Sequence, residues 1–167
     1  MFKRKTIPVL LLLTLATVQA NSQSIKKDIT TAQRNQIKRG YGMFIHFGIN
    51  TFNEIEWSNG KLPASSYNPT NLDCDQWVRI AKEAGFRYVI LVTKHHDGFC
   101  LWPSKYSTHT VAQSKWKNGK GDVLKELSTA CKEYNLKLGI YLSPWDRNHP
   151  KYGTDEYNTV FVNMMKE

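Results

Sequence analysis

Residues 88–99, YVILVTKHHDGF, pass from an apolar run directly into two histidines, an aspartate and a glycine. The run from Tyr88 to Val92 has the length and the β-branched content of a fully buried strand. Polar side chains at the end of such a strand need partners, and in parallel α/β proteins that edge of the sheet is where ligands bind. The stretch therefore predicts an α/β fold with a binding site at the carboxyl edge of the sheet.

Two other apolar runs have the same design. Residues 43–49, MFIHFGI, contain one histidine, and residues 138–146, LGIYLSPWD, end in aromatic and acidic side chains. Because the carboxyl ends of parallel strands meet at one edge, the three runs suggest a single site. Strand ends and the loops that follow them supply these candidates: His46, Glu56, Trp57, His95, His96, Asp97, Tyr141, Trp145 and Asp146.

Helical patterns separate the apolar runs. Asp73 is a good N-cap for a helix that Gly85 ends, and Asp122 is a good N-cap for a second helix that Asn135 ends. Residues 155–167, after Thr154, suggest a third helix, whereas residues 21–40 are polar and form a lead-in segment. Alternating strands and helices predict a parallel sheet, and a closed barrel needs about eight such units. We therefore expect this chain to be the amino-terminal part of a longer protein.

The amino terminus is typical of a secretory signal peptide. Positive residues 3–5 precede an apolar stretch, residues 7–18, and small residues follow it up to Ala20. The alternative, an amino-terminal membrane anchor, needs a longer apolar stretch than this one. We expect residues 1–20 to be removed, and the mature protein to be exported to the periplasm or secreted, without a membrane segment.

The charge of the chain bears on nucleic-acid binding, and its cysteine content bears on disulfide formation. The formal net charge of +9 falls to +6 when residues 3–5 are removed, and the remaining lysines are scattered or lie in a loop, residues 115–120. No RNA-binding aromatic motif or recognition helix is present, so a nucleic-acid partner is not expected. The odd number of cysteines, Cys74, Cys100 and Cys131, favours buried free thiols over a disulfide framework.

Several candidates have a structural alternative. Adjacent histidines on a strand point to opposite faces, so only one of His95 and His96 enters a site unless the chain already turns before Gly98. Asp97 is as suited to stabilising that turn as to chemistry. The three histidines could bind zinc with a carboxylate, or they could hydrogen-bond a neutral polyol. Nearby aromatic side chains favour a sugar; they are Trp57, Trp102, Tyr141 and Trp145.

At these residues the chain resembles glycoside hydrolase family 29, the retaining α-L-fucosidases. The matching segments are GMFIHFG at 42–48, Glu56-Trp57, KHHDGF at 94–99 and YLSPW at 141–145, within a resemblance that covers residues 38–167. It implies that residues 21–167 are the first three βα units of a (β/α)8 TIM-like barrel, ending within the third helix. It also implies a fucose pocket that is lined by His46, Glu56, Trp57, His95, His96 and Tyr141.

The resemblance implies a mechanism and a substrate class as well. Retaining hydrolysis uses two carboxylates, and in the family these are an Asp on the fourth strand and a later Glu, both expected beyond Glu167. We therefore assign no catalytic role to Asp97 or Asp146. The substrate is expected to be a fucosylated oligosaccharide or glycoconjugate, with no cofactor and no metal. Residues 143–148 resemble the branch that prefers α-1,3/1,4 linkages. A non-catalytic fucose-binding barrel and a metal-dependent hydrolase are the alternative hypotheses.

Overall fold

The computed structural model describes residues 28–167, so the predicted signal peptide, residues 1–20, lies outside the described residues. The elements are α1 (Thr31–Arg39), β1 (Gly42–Ile45), α2 (Cys74–Glu83), β2 (Tyr88–Lys94), α3 (Val123–Glu133), β3 (Lys137–Leu142) and α4 (Asp155–Lys166). Short 3-10 turns interrupt the two long loops that follow β1 and β2. The alternation of strands and helices that the sequence predicts is confirmed.

The strands form one parallel sheet in the order β1-β2-β3. Gly42 of β1 pairs with Tyr88 of β2, which in turn pairs with Lys137 of β3. The β2–β3 register shifts between Val92 and Lys94, next to the histidine pair. All three carboxyl ends consequently lie on the same edge of the sheet.

Helices α2 and α3 cover one face of the sheet. Val89 and Leu91 of β2 pack there with Val78 of α2 and Leu127 of α3, and all four side chains are fully buried. Burying each such side chain contributes about 1.5–3 kcal/mol, which makes this layer the main hydrophobic core. It is built from residues that are local to successive βα units.

The helix ends follow the expected caps. Asp73 accepts a hydrogen bond from the backbone N–H of Gln76, and Asp122 accepts one from that of Lys125. Asn135 has a positive φ of 53° just after α3, as a stop residue should. Thr154 stands at the N-cap position of α4 but uses its hydroxyl to bond the carbonyl of Lys151 instead.

Three local features differ from the sequence expectation. The lead-in segment contains α1, which Thr30 and Gln33 cap reciprocally although none of its residues is buried. The first strand ends at Ile45, because Ile49 already begins a 3-10 turn, so His46 lies beyond the strand. Similarly β3 ends at Leu142, and residues 143–148 belong to the loop that leads to α4.

The three cysteines are free and buried, as the sequence predicts. Cys74 lies at the start of α2, Cys131 lies in α3, and Cys100 follows the turn after β2. None of the helices within residues 28–167 is long and apolar enough to cross a membrane.

Candidate active site at the carboxyl edge of the sheet

Three histidines meet where β1 and β2 end. The ring centroids of His46 and His95 are 5.7 Å apart, and those of His95 and His96 are 4.3 Å apart. Strict strand alternation would separate the last two, but β2 ends at Lys94 and the chain turns, with the N–H of Gly98 donating to the carbonyl of His95. The turn therefore places both imidazoles in one cluster.

Asp97 holds this turn, as one of the two sequence interpretations expects. Its Oδ1 accepts a 2.7 Å hydrogen bond from the N–H of Phe99. Gly98 has a φ of +84°, and a Cβ there would lie 2.2 Å from Oδ1 of Asp146. The backbone of the turn thus approaches the loop after β3 so closely that only glycine fits.

A pocket of about 270 Å³ opens beside the cluster. We call it the site pocket; its lining includes His46, Asn50, Glu56, Trp57, His95 and Asp97. In two of these residues one oxygen atom, Oδ1 of Asn50 and Oδ2 of Asp97, is itself buried and has no hydrogen-bond partner among residues 28–167. Buried acceptors of this kind are costly, and their burial keeps them out of reach of a ligand in the pocket. The exposed side chains of His46 and Glu56, together with the indole of Trp57, suit a ligand that carries several hydroxyl groups.

The loop after β1 brings Glu56 and Trp57 to the pocket. The side-chain amide of Asn50 donates to the carbonyl of Glu56 at 3.0 Å, which fixes the loop. The ring of Trp57 then lies 4.8 Å from that of His96 and 5.8 Å from that of Trp145. Four of the six expected pocket residues, His46, Glu56, Trp57 and His95, line the site pocket itself.

The other two expected residues lie at its margin. The ring of His96 forms a triangle with those of Trp57 and Trp145, at centroid distances of 4.8 Å and 5.0 Å. Tyr141 lies on β3, and its ring is 6.0 Å from that of Phe44, which in turn lies 5.4 Å from His46. Tyr141 is thus joined to the histidine cluster through Phe44.

Arg147 is a residue that sequence reasoning did not select. Its guanidinium lies over the rings of Trp145 and Trp57, at 4.4 Å and 5.2 Å from their centroids, and donates to the carbonyl of Ser58 at 2.7 Å. Stacked arginine holds aromatic rings in place. Arg147 therefore joins the loop after β1 to the loop after β3.

Burial lowers the pKa of both histidines of the pair, which favours their neutral form. Desolvation lowers the pKa of His95, and the neighbouring His96 and His46 lower it further. Desolvation also lowers the pKa of His96, with the positive charge of Arg147 as the next cause. Neutral imidazoles both donate and accept hydrogen bonds, as recognition of hydroxyl groups requires.

A buried ion pair lies directly behind the histidines. Nζ of Lys94 is 2.9 Å from Oδ2 of Asp146, and both side chains are 0% exposed. The hydroxyl of Tyr157 on α4 is 2.9 Å from that Nζ and 3.0 Å from that Oδ2. We call Lys94, Asp146 and Tyr157 the buried clamp. Burial alone would raise the pKa of Asp146, but Lys94 and the hydrogen bonds to the carboxylate outweigh it and lower the pKa.

The clamp settles the position of Asp146. Its Oδ1 also accepts from the N–H groups of Asn148 and His149, so both carboxylate oxygens are occupied within the protein. The one sequence signal for the clamp is a lysine at the end of an apolar strand. Within residues 28–167, no group of three His, Cys, Asp or Glu side chains is arranged to hold a metal ion.

The sequence of residues 53–166 matches the family model described as alpha-L-fucosidase. The chain belongs to the alpha-L-fucosidase family. It is 49% identical to alpha-L-fucosidase 1 of Arabidopsis thaliana in an alignment of 157 positions that covers 89% of this chain and 31% of the relative.

Members of this family with known structures share the fold of the chain. A putative alpha-L-fucosidase from Bacteroides ovatus superposes with a TM-score of 0.80 at 52% identity, covering 81% of this chain and 24% of that one. A GH29 fucosidase from Ruminococcus gnavus, in complex with fucose, superposes with a TM-score of 0.73 at 37% identity, covering 80% of this chain and 31% of that one. The chain spans about a third or less of the length of these relatives.

Proposed function

We propose that the site pocket binds the fucosyl group of a fucosylated glycan, and that the protein containing this chain hydrolyses α-L-fucosyl linkages. The observation that carries the proposal is the meeting of His46, His95, Glu56 and Trp57 around one pocket at the carboxyl ends of parallel strands. Imidazoles and a carboxylate suit the hydroxyl edge of the sugar, and the indole suits its apolar face. The Ruminococcus gnavus relative, which was solved with fucose, supports the same ligand class.

We also propose that the three βα units are the start of a (β/α)8 barrel. The parallel order β1-β2-β3, helices on one face and site residues at the carboxyl ends all support it. In such a barrel the remaining strands would close the other side of the site. Residues 21–167 would then be one part of the catalytic domain.

The proposed chemistry is retaining hydrolysis through a covalent glycosyl-enzyme intermediate. It needs two carboxyl groups about 5–5.5 Å apart, one as nucleophile and one as acid and base. Asp97 and Asp146 are poor candidates, because Oδ1 of Asp97 bonds the turn and both oxygens of Asp146 are engaged. We propose that both catalytic residues lie beyond Glu167, so that this chain supplies substrate binding.

Binding of L-fucose to the full-length protein tests the proposal. His95→Ala and His96→Ala should each weaken the affinity about tenfold or more in calorimetry, since each removes hydrogen-bonding capacity from the site. His149→Ala, which removes an imidazole outside the site pocket, serves as the matched control. Unchanged affinity in both site variants would show that the pocket assignment is wrong.

Turnover separates the enzyme from the two alternatives. The full-length protein should hydrolyse an aryl α-L-fucoside, and a chelator should leave the rate unchanged, whereas residues 21–167 alone should be inactive. Fucose binding without turnover would indicate a non-catalytic binding protein. Loss of activity with a chelator would indicate a metal-dependent hydrolase. Robust turnover by the isolated segment would contradict the absence of catalytic carboxylates from it.

Two finer proposals concern linkage and location. Residues 143–148 support a preference for α-1,3/1,4-linked fucose through their resemblance to that branch of the family. Comparing turnover of α-1,3- or α-1,4-fucosylated and α-1,2-fucosylated trisaccharides tests it. The pattern of residues 1–20 supports export to the periplasm or secretion, and sequencing the amino terminus of the mature protein tests it.

A further inference from the structure

The hydroxyl of Ser143 lies between a ring nitrogen and a carbonyl. Its Oγ is 2.7 Å from Nδ1 of His96 and 2.9 Å from the carbonyl oxygen of Trp145. Ser143 is fully buried, and its N–H donates to the carbonyl of Lys94 at 3.0 Å. The position of the hydroxyl is therefore fixed by the backbone of β2 and of the loop after β3.

The single hydroxyl proton of Ser143 determines the direction of its hydrogen bonds to Trp145 and His96. A carbonyl oxygen only accepts, so the single hydroxyl proton of Ser143 is used on Trp145. The bond to His96 must then run from Nδ1–H to Oγ, because Oγ has only lone pairs left to offer. A neutral imidazole that carries its proton on Nδ1 has a free lone pair on Nε2.

The surroundings of His96 favour that neutral form. Burial, together with the charge of Arg147, lowers the pKa of His96. The rings of Trp57 and Trp145 pack against that of His96, at centroid distances of 4.8 Å and 5.0 Å. The N–H of Arg147 also donates to the carbonyl of His96 at 2.9 Å, which holds its backbone.

We propose that Ser143 is a positioning residue that fixes His96 in the Nδ1–H tautomer, so that Nε2 accepts a hydrogen bond from a hydroxyl group of the bound sugar. This inference rests on the proposed function, since it names the sugar as the partner of Nε2. His96 would then select for a sugar that has a hydroxyl group at the position facing Nε2. A sugar with a fluorine or a methyl ether at that position has no proton to donate and should bind more weakly.

The NMR spectrum of the full-length protein labelled with ¹⁵N-histidine would report the tautomer of His96 directly. The ligand-free spectrum should show His96, assigned through its loss in His96→Gln, with a protonated Nδ1 and an unprotonated Nε2. In Ser143→Ala the partner of Nδ1–H is gone, and the signals should shift towards the Nε2–H form that neutral imidazole favours in water. A protonated Nε2 and an unprotonated Nδ1 in the wild-type spectrum would overturn the proposal.

Affinity provides the second measurement. Ser143→Ala should weaken L-fucose binding about tenfold. It should also reduce the discrimination between L-fucose and whichever of its singly fluorinated 2-, 3- and 4-deoxy analogues binds least well to the wild type. Unchanged discrimination and an unchanged His96 spectrum in the variant would overturn the proposal.

Ser114→Ala is the matched control. Ser114 is also buried, and its hydroxyl likewise donates to a carbonyl, that of Val111, while accepting one hydrogen bond, from the N–H of Trp116. It should change neither the His96 spectrum nor the discrimination between sugars. If the wild type fails to bind L-fucose, the proposed function fails, whereas the ligand-free spectrum still decides the tautomer. That spectrum also decides it if Ser143→Ala does not fold.

Discussion

The buried clamp and the site pocket are adjacent regions with opposite use of polar atoms. In the clamp, Lys94, Asp146 and Tyr157 satisfy one another at 2.9–3.0 Å, and two N–H groups occupy the remaining carboxylate oxygen. In the site pocket, by contrast, the polar side chains of His46 and Glu56 are exposed. Polar groups of the first kind hold the protein together, and those of the second kind are available to a ligand. The same edge of the sheet contains both.

Removing one charge from the clamp should give the largest effect. Lys94→Met leaves Asp146 buried without its counter-ion, and breaking a buried pair in this way costs about 3–5 kcal/mol. We expect a corresponding fall in the free energy of unfolding of the full-length protein, measured in urea. Arg79→Met, which breaks an exposed ion pair with Glu83, should cost less than about 1 kcal/mol. Equal losses in the two variants would end the distinction between the clamp and a surface pair.

Removing a hydroxyl from the clamp should have a smaller effect. Tyr157→Phe keeps the ring but takes away hydrogen bonds to two charged groups, which contribute about 1.5–3 kcal/mol. Thermal unfolding should show the loss. The control is Tyr134→Phe, whose hydroxyl bonds Asp75 near the surface at 3.2 Å, and it should shift the midpoint much less. If the two variants unfold together, α4 is not held through the clamp.

Lowering the pH should destabilise the protein through His109, which belongs to neither the buried clamp nor the site pocket. Burial lowers the pKa of His109 below its ordinary value of 6.5, and its Nε2 has no partner among the described residues. Below about pH 6.5 the histidine is protonated in the unfolded chain but stays neutral in the folded chain. The free energy of unfolding therefore falls by up to about 1.4 kcal/mol for each pH unit of acidification. His109→Gln should flatten this fall between about pH 7 and pH 5. An unchanged pH slope in the variant would contradict the assignment.

The smallest effect should come from the margin of the site pocket. Arg147→Lys keeps the charge but loses the planar group that stacks on Trp57 and Trp145, an interaction of about 0.5–1 kcal/mol. L-fucose affinity should fall about two- to fivefold with little change in stability. If the variant instead loses stability and keeps its affinity for L-fucose, Arg147 stabilises the fold and does not support the pocket.

Much of the fold could be predicted because its signals are local. The apolar run of β2 and the caps Asp73 and Asp122 each involve residues a few positions apart, and the structure confirms them. The end of β1 was harder, because MFIHFGI remains apolar beyond Ile45 although the chain turns into a 3-10 segment. Helix α1 lacks an apolar stripe, so only its capping box announces it.

The site needed contacts that sequence patterns do not contain. Lys94 and Asp146 are 52 positions apart in the sequence, and Lys94 and Tyr157 of α4 are 63 positions apart. The shared orientation of His95 and His96 depends on a turn that is braced by the loop after β3. Residue types at strand ends therefore identified the members of the site, whereas their division into pocket and clamp required the three-dimensional structure.

The three free cysteines can serve as probes of the order in which parts of the protein unfold. Burial raises the pKa values of Cys74 and Cys100 to about 12 and also raises that of Cys131, so the reactive thiolate is scarce in the folded state. Each thiol belongs to a different part: α2, the loop after β2, and α3. Alkylation rates at the three positions would therefore report which layer separates first when the protein unfolds.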